Sequence, residues 1–243
     1  MTMSRLPFLL FGLLVAVVVT GCLLGVCSAD EGAASFSDSA SFEPESRDRD
    51  RAEVRVAPGE QDFVDVESAQ AEFSAATADW WSYPVSGWSV SQHFGVWRSG
   101  YGYHLGDDVL KPAYTVVRNA RWGYVRHVGL HTGYGWVVII ESPREWEPST
   151  DPRTWRNPVC QVYGHLRYDS YLVATKAKLN RLVDRGWVVG RLGTSYENGG
   201  WTPHLHYGIR KGCYTTSWVY WGYTTSSAVR ESWYHPCTII SQY

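Results

Sequence analysis

The sequence predicts a mainly β domain behind a long polar leader, and three observations carry that prediction. From Trp80 onward, short β-branched and aromatic segments alternate with Gly and Pro. All 13 tryptophans lie in that part. Charge divides at the same place, with 14 Asp/Glu against 4 Arg over residues 28–79 (a balance of −10) and 17 Lys/Arg against 10 Asp/Glu over residues 80–243 (a balance of +7). At 243 residues and 44% hydrophobic content the chain can bury one good core, with little left for a second large domain.

The leader comes first. Arg5 precedes an apolar run of 14 residues, Leu6 to Val19, shorter than the roughly 20 needed to cross a bilayer and of the length of a secretory h-region. The tetrapeptide Val19-Thr20-Gly21-Cys22 resembles a bacterial lipobox, whose cysteine is lipidated. Residues 1–27 then act as a lipoprotein signal, and Cys22 anchors the domain to a membrane facing the periplasm or the exterior. Two other readings also export the domain: an uncleaved anchor continuing through Leu23, Leu24 and Val26, or an ordinary signal cleaved near Ala29. Residues 28–79, rich in Ser, Ala, Glu and Asp and without Trp or Tyr, cannot bury enough surface to offset their ordering and read as an acidic disordered tether. Within them, Phe63, Val64 and Val66 form a short extended piece.

Strands are expected at Val116-Val117, Tyr124 to Val128, Gly135 to Ile140, Val159 to His165 and Gly186 to Gly190. One short helix is expected over Ala174 to Asp184, with Leu179, Leu182 and Val183 as its apolar stripe and Gly186 as its stop. The stretch Ser142 to Pro158, with four prolines, reads as a long exposed loop of the kind that walls a binding site. Of the five cysteines, Cys22 belongs to the lipobox with Cys27 beside it. Cys160, Cys213 and Cys237 remain as an odd set in the folded domain, where Cys213 and Cys237 pair if two late strands bring them together. No CxxC spacing points to a thiolate metal site, and no Lys/Arg run or motif points to nucleic acid.

Five side chains suited to metal chemistry fall in three short segments: His104 and Asp108 in HLGDD, His165 in VYGHL, and His204 and His206 in PHLHYGI. In an extended chain residues i, i+2 and i+4 share a face, so His204 and His206 point the same way, and His104 and Asp108 can converge. Three N/O ligands are the mark of a catalytic zinc with an open position; structural zinc is closed by four donors. Two histidines are then left over for proton chemistry. Asp107, alternating away from Asp108, reads as a solvated or turn carboxylate. His93, His127, His131 and His235 read as surface or satisfied residues. Trp201 and Tyr207 flank the HxH segment as groove or core aromatics.

From Tyr83 to Arg210 the ordered pieces Tyr83-Pro84-Val85, Ser91-Gln92-His93-Phe94-Gly95, His104-Leu105-Gly106-Asp107-Asp108, Gly133-Tyr134-Gly135, Tyr163-Gly164-His165-Leu166, Val189 to Gly193 and Pro203-His204-Leu205-His206-Tyr207 resemble the lysostaphin-like, LytM-type zinc endopeptidases of bacterial peptidoglycan. The resemblance implies a compact antiparallel β-sheet domain over residues 80–243. It further implies Zn2+ held by His104, Asp108 and His206, catalysis by His165 and His204 with either as the base, and peptidoglycan as the partner. The chain departs from that pattern at Lys111 to Val116, in the 142–158 loop, after Tyr168, and in the tail after Gly212 with Trp218, Trp221 and Trp233. Two other functions fit the same fold: a non-catalytic wall-binding or hydrolase-activating module, and a zinc peptidase of another extracellular peptide. A regulatory protein partner is left unspecified.

Overall fold

The computed structural model describes residues 80–216 and 222–243, so the leader, the tether, Cys22, Cys27, Phe63, Val64, Val66, Trp218 and Trp221 lie outside the described residues. The architecture is mainly β, as expected. A seven-stranded antiparallel sheet has the order β12 (Trp233–Tyr234), β10 (His204–Lys211), β7 (Pro158–Leu166), β6 (Gly135–Pro143), β5 (Gly123–His131), β8 (Leu182–Val183). Its seventh strand, β3 (Asp107–Leu110), lies against β10. β12 and β3 share one edge of β10: β3 takes residues 204–207 and β12 takes 209–210. Two smaller sheets flank it, one of β1 (Trp97–Arg98), β2 (Gly102–His104) and β11 (Tyr223–Thr224), the other of β4 (Val116–Arg118) and β9 (Val188–Arg191).

The central strands are covered on both faces, which is why all nine residues of β7 are buried and why β6 reads as a continuous apolar run. Val138 and Ile140 of β6 join Tyr163, Leu166, Val189, Leu205 and Ile209 on one side. Val137 and Ile139 join Leu105, Cys160, Val162 and Trp233 on the other. Each leucine- or isoleucine-sized side chain buried this way contributes about 1.5–3 kcal/mol. A polar network also runs through the core. Gln161 Nε2 donates to Ser142 Oγ (2.7 Å), to the Arg121 carbonyl (2.9 Å) and to Asn119 Oδ1 (3.2 Å). Gln161 Oε1 accepts from the hydroxyls of Tyr163 (2.6 Å) and Tyr207 (2.9 Å).

Several details differ from expectation. Among the described residues, three short α-helices occur where one was expected: α1 (Ser170–Lys176), α2 (Ser227–Glu231) and α3 (Pro236–Ser241). The first begins before Ala174 because the Asp169 side chain caps it, accepting from Leu172 N at 3.1 Å. It ends at Ala177, and with Asn180 at φ +57° the chain turns so that Leu182 and Val183 pair with Tyr124 and Gly123 as strand. The stretch after Pro143 is not a free loop. Trp155 is buried edge-on against Trp122, a 3-10 turn spans Pro152–Thr154, and Arg121 donates to the carbonyls of Pro143 (2.6 Å) and Glu145 (2.7 Å). It joins the ends of β6 and β7 remote from His165, and so cannot wall the predicted site. Cys213 is disulfide-bonded, whereas Cys160 and Cys237 are free thiols, so the Cys213–Cys237 pair is not formed.

Candidate metal centre

The five predicted site residues meet at one end of the sheet. His104 closes β2, a kink at Leu105 and Gly106 leads into β3 with Asp108, and His206 of β10 sits opposite Asp108 on one neighbour and Gly164 on the other. His165, last but one in β7, and His204, two residues before His206, complete the group. The kink needs glycine: a Cβ on Gly106 would lie 2.6 Å from His206 Nε2 and 2.6 Å from the Tyr207 carbonyl oxygen. Gly164 is equally confined, since its Cβ would meet the Tyr134 ring at 2.9 Å. His165 takes a left-handed backbone, φ +61°, a strained conformation for a histidine of the sort concentrated at functional sites.

Three donor atoms form a nearly equilateral triangle. His104 Nε2 lies 3.0 Å from His206 Nδ1 and 3.1 Å from Asp108 Oδ1, and His206 Nδ1 lies 3.0 Å from the same oxygen. These sides approach the ~3.3 Å edge of a tetrahedron with bonds of 2.0–2.1 Å. His104 Nδ1 faces the His93 carbonyl at 3.1 Å. A carbonyl only accepts, so the proton is on Nδ1 and Nε2 presents a bare lone pair to Asp108 and His206. Burial alone would raise the pKa of Asp108, but the His104 and His206 rings set against its oxygen hold it well below the usual carboxylate range. Two imidazole nitrogens and an ionised carboxylate oxygen converging in this way are a set that a divalent cation satisfies, and two imidazoles with a carboxylate suit zinc.

The other two histidines are fixed in the same way. His165 Nδ1 donates to the Asn198 carbonyl (2.8 Å) and His204 Nδ1 to the Thr202 carbonyl (2.7 Å), so each carries a bare Nε2. Their rings lie 4.1 Å apart, centroid to centroid, and His204 Nε2 is 3.8 Å from Asp108 Oδ1. Burial, with the nearby His204 and His206, lowers the pKa of His165 to about 3, which keeps the ring neutral in the metal-free protein.

The residues open onto a groove of about 590 Å3 that sequence reasoning described only in part. Trp201 lines it, as one of its two expected places allows. Tyr207 does not: it is fully buried, its hydroxyl on Gln161. The remaining walls were missed. Tyr134 lies edge-on to His165 and His206, while Arg98 stands over the rings of Tyr101 and Trp201 and within 3.5 Å of the Tyr223 hydroxyl. Only Gly133-Tyr134-Gly135, a tight aromatic turn ahead of a strand, carried a local signal. The others come from separate hairpins. Asp107 is also corrected. It does point away from the triad, but it is fully buried, accepting from the main-chain N–H groups of Phe94 (2.9 Å) and Cys237 (3.1 Å).

No protein-family profile matches the chain, and no curated protein matches it. Among solved structures, the chain is similar to the antimicrobial peptidase lysostaphin from Staphylococcus simulans (18% identity, TM-score 0.47, covering 69% of this chain and 56% of that one). The catalytic domain of the same peptidase gives 16% identity and TM-score 0.44, covering 63% of this chain and 92% of that domain. A zinc-containing peptidase from Vibrio cholerae gives 26% identity and TM-score 0.42, covering 55% of this chain and 37% of that one. These belong to the lysostaphin-like and zinc-peptidase kind that the motif order resembles. The likeness is distant, and the chemistry of the site stands on its own residues.

Proposed function

We propose that the chain is a zinc-dependent endopeptidase that hydrolyses peptide bonds in the stem peptides or cross-links of peptidoglycan. The observation that carries this reading is the convergence of His104 Nε2, Asp108 Oδ1 and His206 Nδ1 within 3.0–3.1 Å of one another, with two further histidines of fixed tautomer beside them. His104, Asp108 and His206 would hold the metal. Held there, zinc would supply Lewis-acid chemistry, polarising a scissile carbonyl and lowering the pKa of a water to roughly 7.

The chain's own residues do the rest. A bare Nε2, on His165 or on His204, accepts the proton of the attacking water, and the resulting imidazolium carries it to the leaving amine; such proton transfer contributes typically 10²–10⁴-fold. The second histidine, 4.1 Å away, can donate to the oxyanion of the tetrahedral intermediate only with a proton on its Nε2, that is as the imidazolium. The Asn198 and Thr202 carbonyls prevent either ring from turning its N–H inward. The aromatic walls at Tyr101, Trp201 and Tyr223 provide a channel for an extended peptide.

The address belongs to the same proposal: a lipid on Cys22 holds the protein at a membrane, the acidic residues 28–79 act as spacer, and the basic domain meets the anionic wall. The deciding experiment is digestion of purified peptidoglycan by the full chain, with and without chelator, and mass spectrometry of the released peptides. Chelator-sensitive release is expected, and the fragment masses name the bond. A protein that binds no zinc with all five residues intact, or releases nothing when loaded, refutes the reading. Loss of fatty-acid-analogue labelling in Cys22→Ala tests the anchor, and labelling that persists in that variant refutes it.

A further inference from the structure

A second group of metal-capable atoms lies on the opposite side of β3 from the first. We propose that His93, Asp107 and His235, with the Cys237 thiol as fourth donor, form a structural zinc site behind the candidate active site. The reasoning begins with Asp107. Its carboxylate is fully buried, and a buried charge needs compensation. Two main-chain N–H groups supply part of it. The side chains that approach with cation-binding atoms are histidines: His235 Nε2 at 3.5 Å and His93 Nδ1 at 3.7 Å, both from Asp107 Oδ1.

Those separations are too long for hydrogen bonds, yet the three atoms all lie within 4.8 Å of one another. For donors around a shared ion they are close to the ~3.3 Å tetrahedral edge given by 2.0–2.1 Å bonds. His235 is already oriented for the role. Its Nδ1 is engaged with Thr238 Oγ1 at 3.0 Å, which leaves Nε2 turned to Asp107. Cys237, on the same turn as His235, is the further donor: its sulfur is not among the atoms that lie within 4.8 Å of one another, and a turn of its side chain would bring it in. Its N–H donates to Asp107 Oδ2 and its sulfur accepts from Trp88 Nε1 at 3.3 Å. In the metal-free protein, burial and Asp107 raise the Cys237 pKa to about 11. A metal would displace that proton.

The donor set decides the ion. Two imidazoles, a carboxylate and a thiolate favour zinc over the hard cations, because magnesium and calcium take oxygen. Four protein donors leave no open position, so this site is structural where the first is catalytic. It would tie the segment from Trp233 to Ser241 to β3. It would also brace the first site twice: Asp107 adjoins Asp108 on one strand, and the residue whose side chain enters the second site, His93, accepts the His104 Nδ1 proton on its carbonyl.

The test is zinc stoichiometry on the full chain, stripped with chelator and reloaded with Zn2+ alone, read by elemental analysis and calorimetric titration. Wild type is expected to bind two zinc ions, and His235→Ala and His206→Ala one each. His93→Ala, whose side chain is 57% exposed, repeats the loss of one ion at a position where folding is under little threat; circular dichroism checks each variant. Loaded with Co2+, wild type and His206→Ala should show a thiolate-to-cobalt charge-transfer band that Cys237→Ser lacks. One zinc in wild type, abolished by His206→Ala and unaffected by His93→Ala and His235→Ala, overturns the second site and leaves the proposed function standing. One zinc lost in His235→Ala but retained in His206→Ala would instead sink the catalytic-zinc reading and uphold this one.

Discussion

Replacing Gly106 by Ala adds one methyl group at the point where β2 bends into β3. That carbon would sit 2.6 Å from His206 Nε2, 2.8 Å from His206 Cε1 and 2.6 Å from the Tyr207 carbonyl oxygen, against an ordinary contact distance of about 3.5–4.0 Å. Roughly 1 Å of movement is therefore needed, and little can supply it. The carbonyl belongs to the β3–β10 ladder, and His206 is 2% exposed with its ring against Tyr134 and His104. Overpacking of this kind costs about 1–3 kcal/mol of stability. A ligand displaced by 1 Å is expected to lower peptidase activity by roughly 10²-fold. Gly123→Ala is the control, because its Cβ meets the Glu141 carbonyl and Ser142 Oγ at 2.3 Å at the other end of the sheet. The assay pairs denaturant unfolding with zinc titration and peptidoglycan digestion. Gly123→Ala should lose stability yet bind zinc normally once folded, whereas Gly106→Ala should lose zinc affinity and activity together. A folded Gly106→Ala protein with wild-type zinc affinity would show that His206 is not a ligand.

Further predictions follow from the same contacts. His165→Ala should retain the metal and lose about 10²–10⁴-fold in activity, and His206→Ala should lose both; elemental analysis beside digestion checks this, and the reverse pattern would exchange ligand and base. Gln161→Leu removes the acceptor of the Tyr207 hydroxyl and three donor contacts. It should lower stability by about 2–4 kcal/mol in urea unfolding, and a loss below about 1 kcal/mol would contradict the weight given to the network. Burial and the adjacent His131 lower the His127 pKa to about 4, so between pH 6.5 and 4 the unfolded chain binds the proton that the folded one resists. Stability should therefore fall as pH drops through that window. His127 contributes roughly 1–2 kcal/mol of that loss once discounted for partial exposure, so the slope should be smaller by that amount in His127→Gln; an equal slope in the variant would refute the assignment.

The convergence of the four histidines and Asp108 was legible because period-two alternation states which face a side chain takes, and because HxGxD, YGHL and PHLH place those faces at the ends of β2, β3, β7 and β10. The strands at 116–118, 123–131, 135–143, 158–166 and 188–191 were legible for a related reason: double burial gives unbroken β-branched and aromatic runs. Alternation gives direction but not depth, however. It placed Asp107 opposite Asp108 and could not tell that the opposite face is also covered, by a turn carrying His235 and Cys237 some 130 positions later. The same blindness explains the groove. Arg98, Tyr101 and Tyr223 are brought together by the pairing of β1, β2 and β11, and nothing local in any of the three segments records that pairing. The helix lies earlier than its apolar stripe predicts because a cap outweighs the stripe: Asp169 fixes where α1 begins, and Leu179 and Leu182, each 39% exposed, form no buried face. Where both faces of a strand are occupied, adjacent residues can serve two different sites. β3 is such a strand, with Asp108 turned to His104 and His206 and Asp107 turned to His93 and His235.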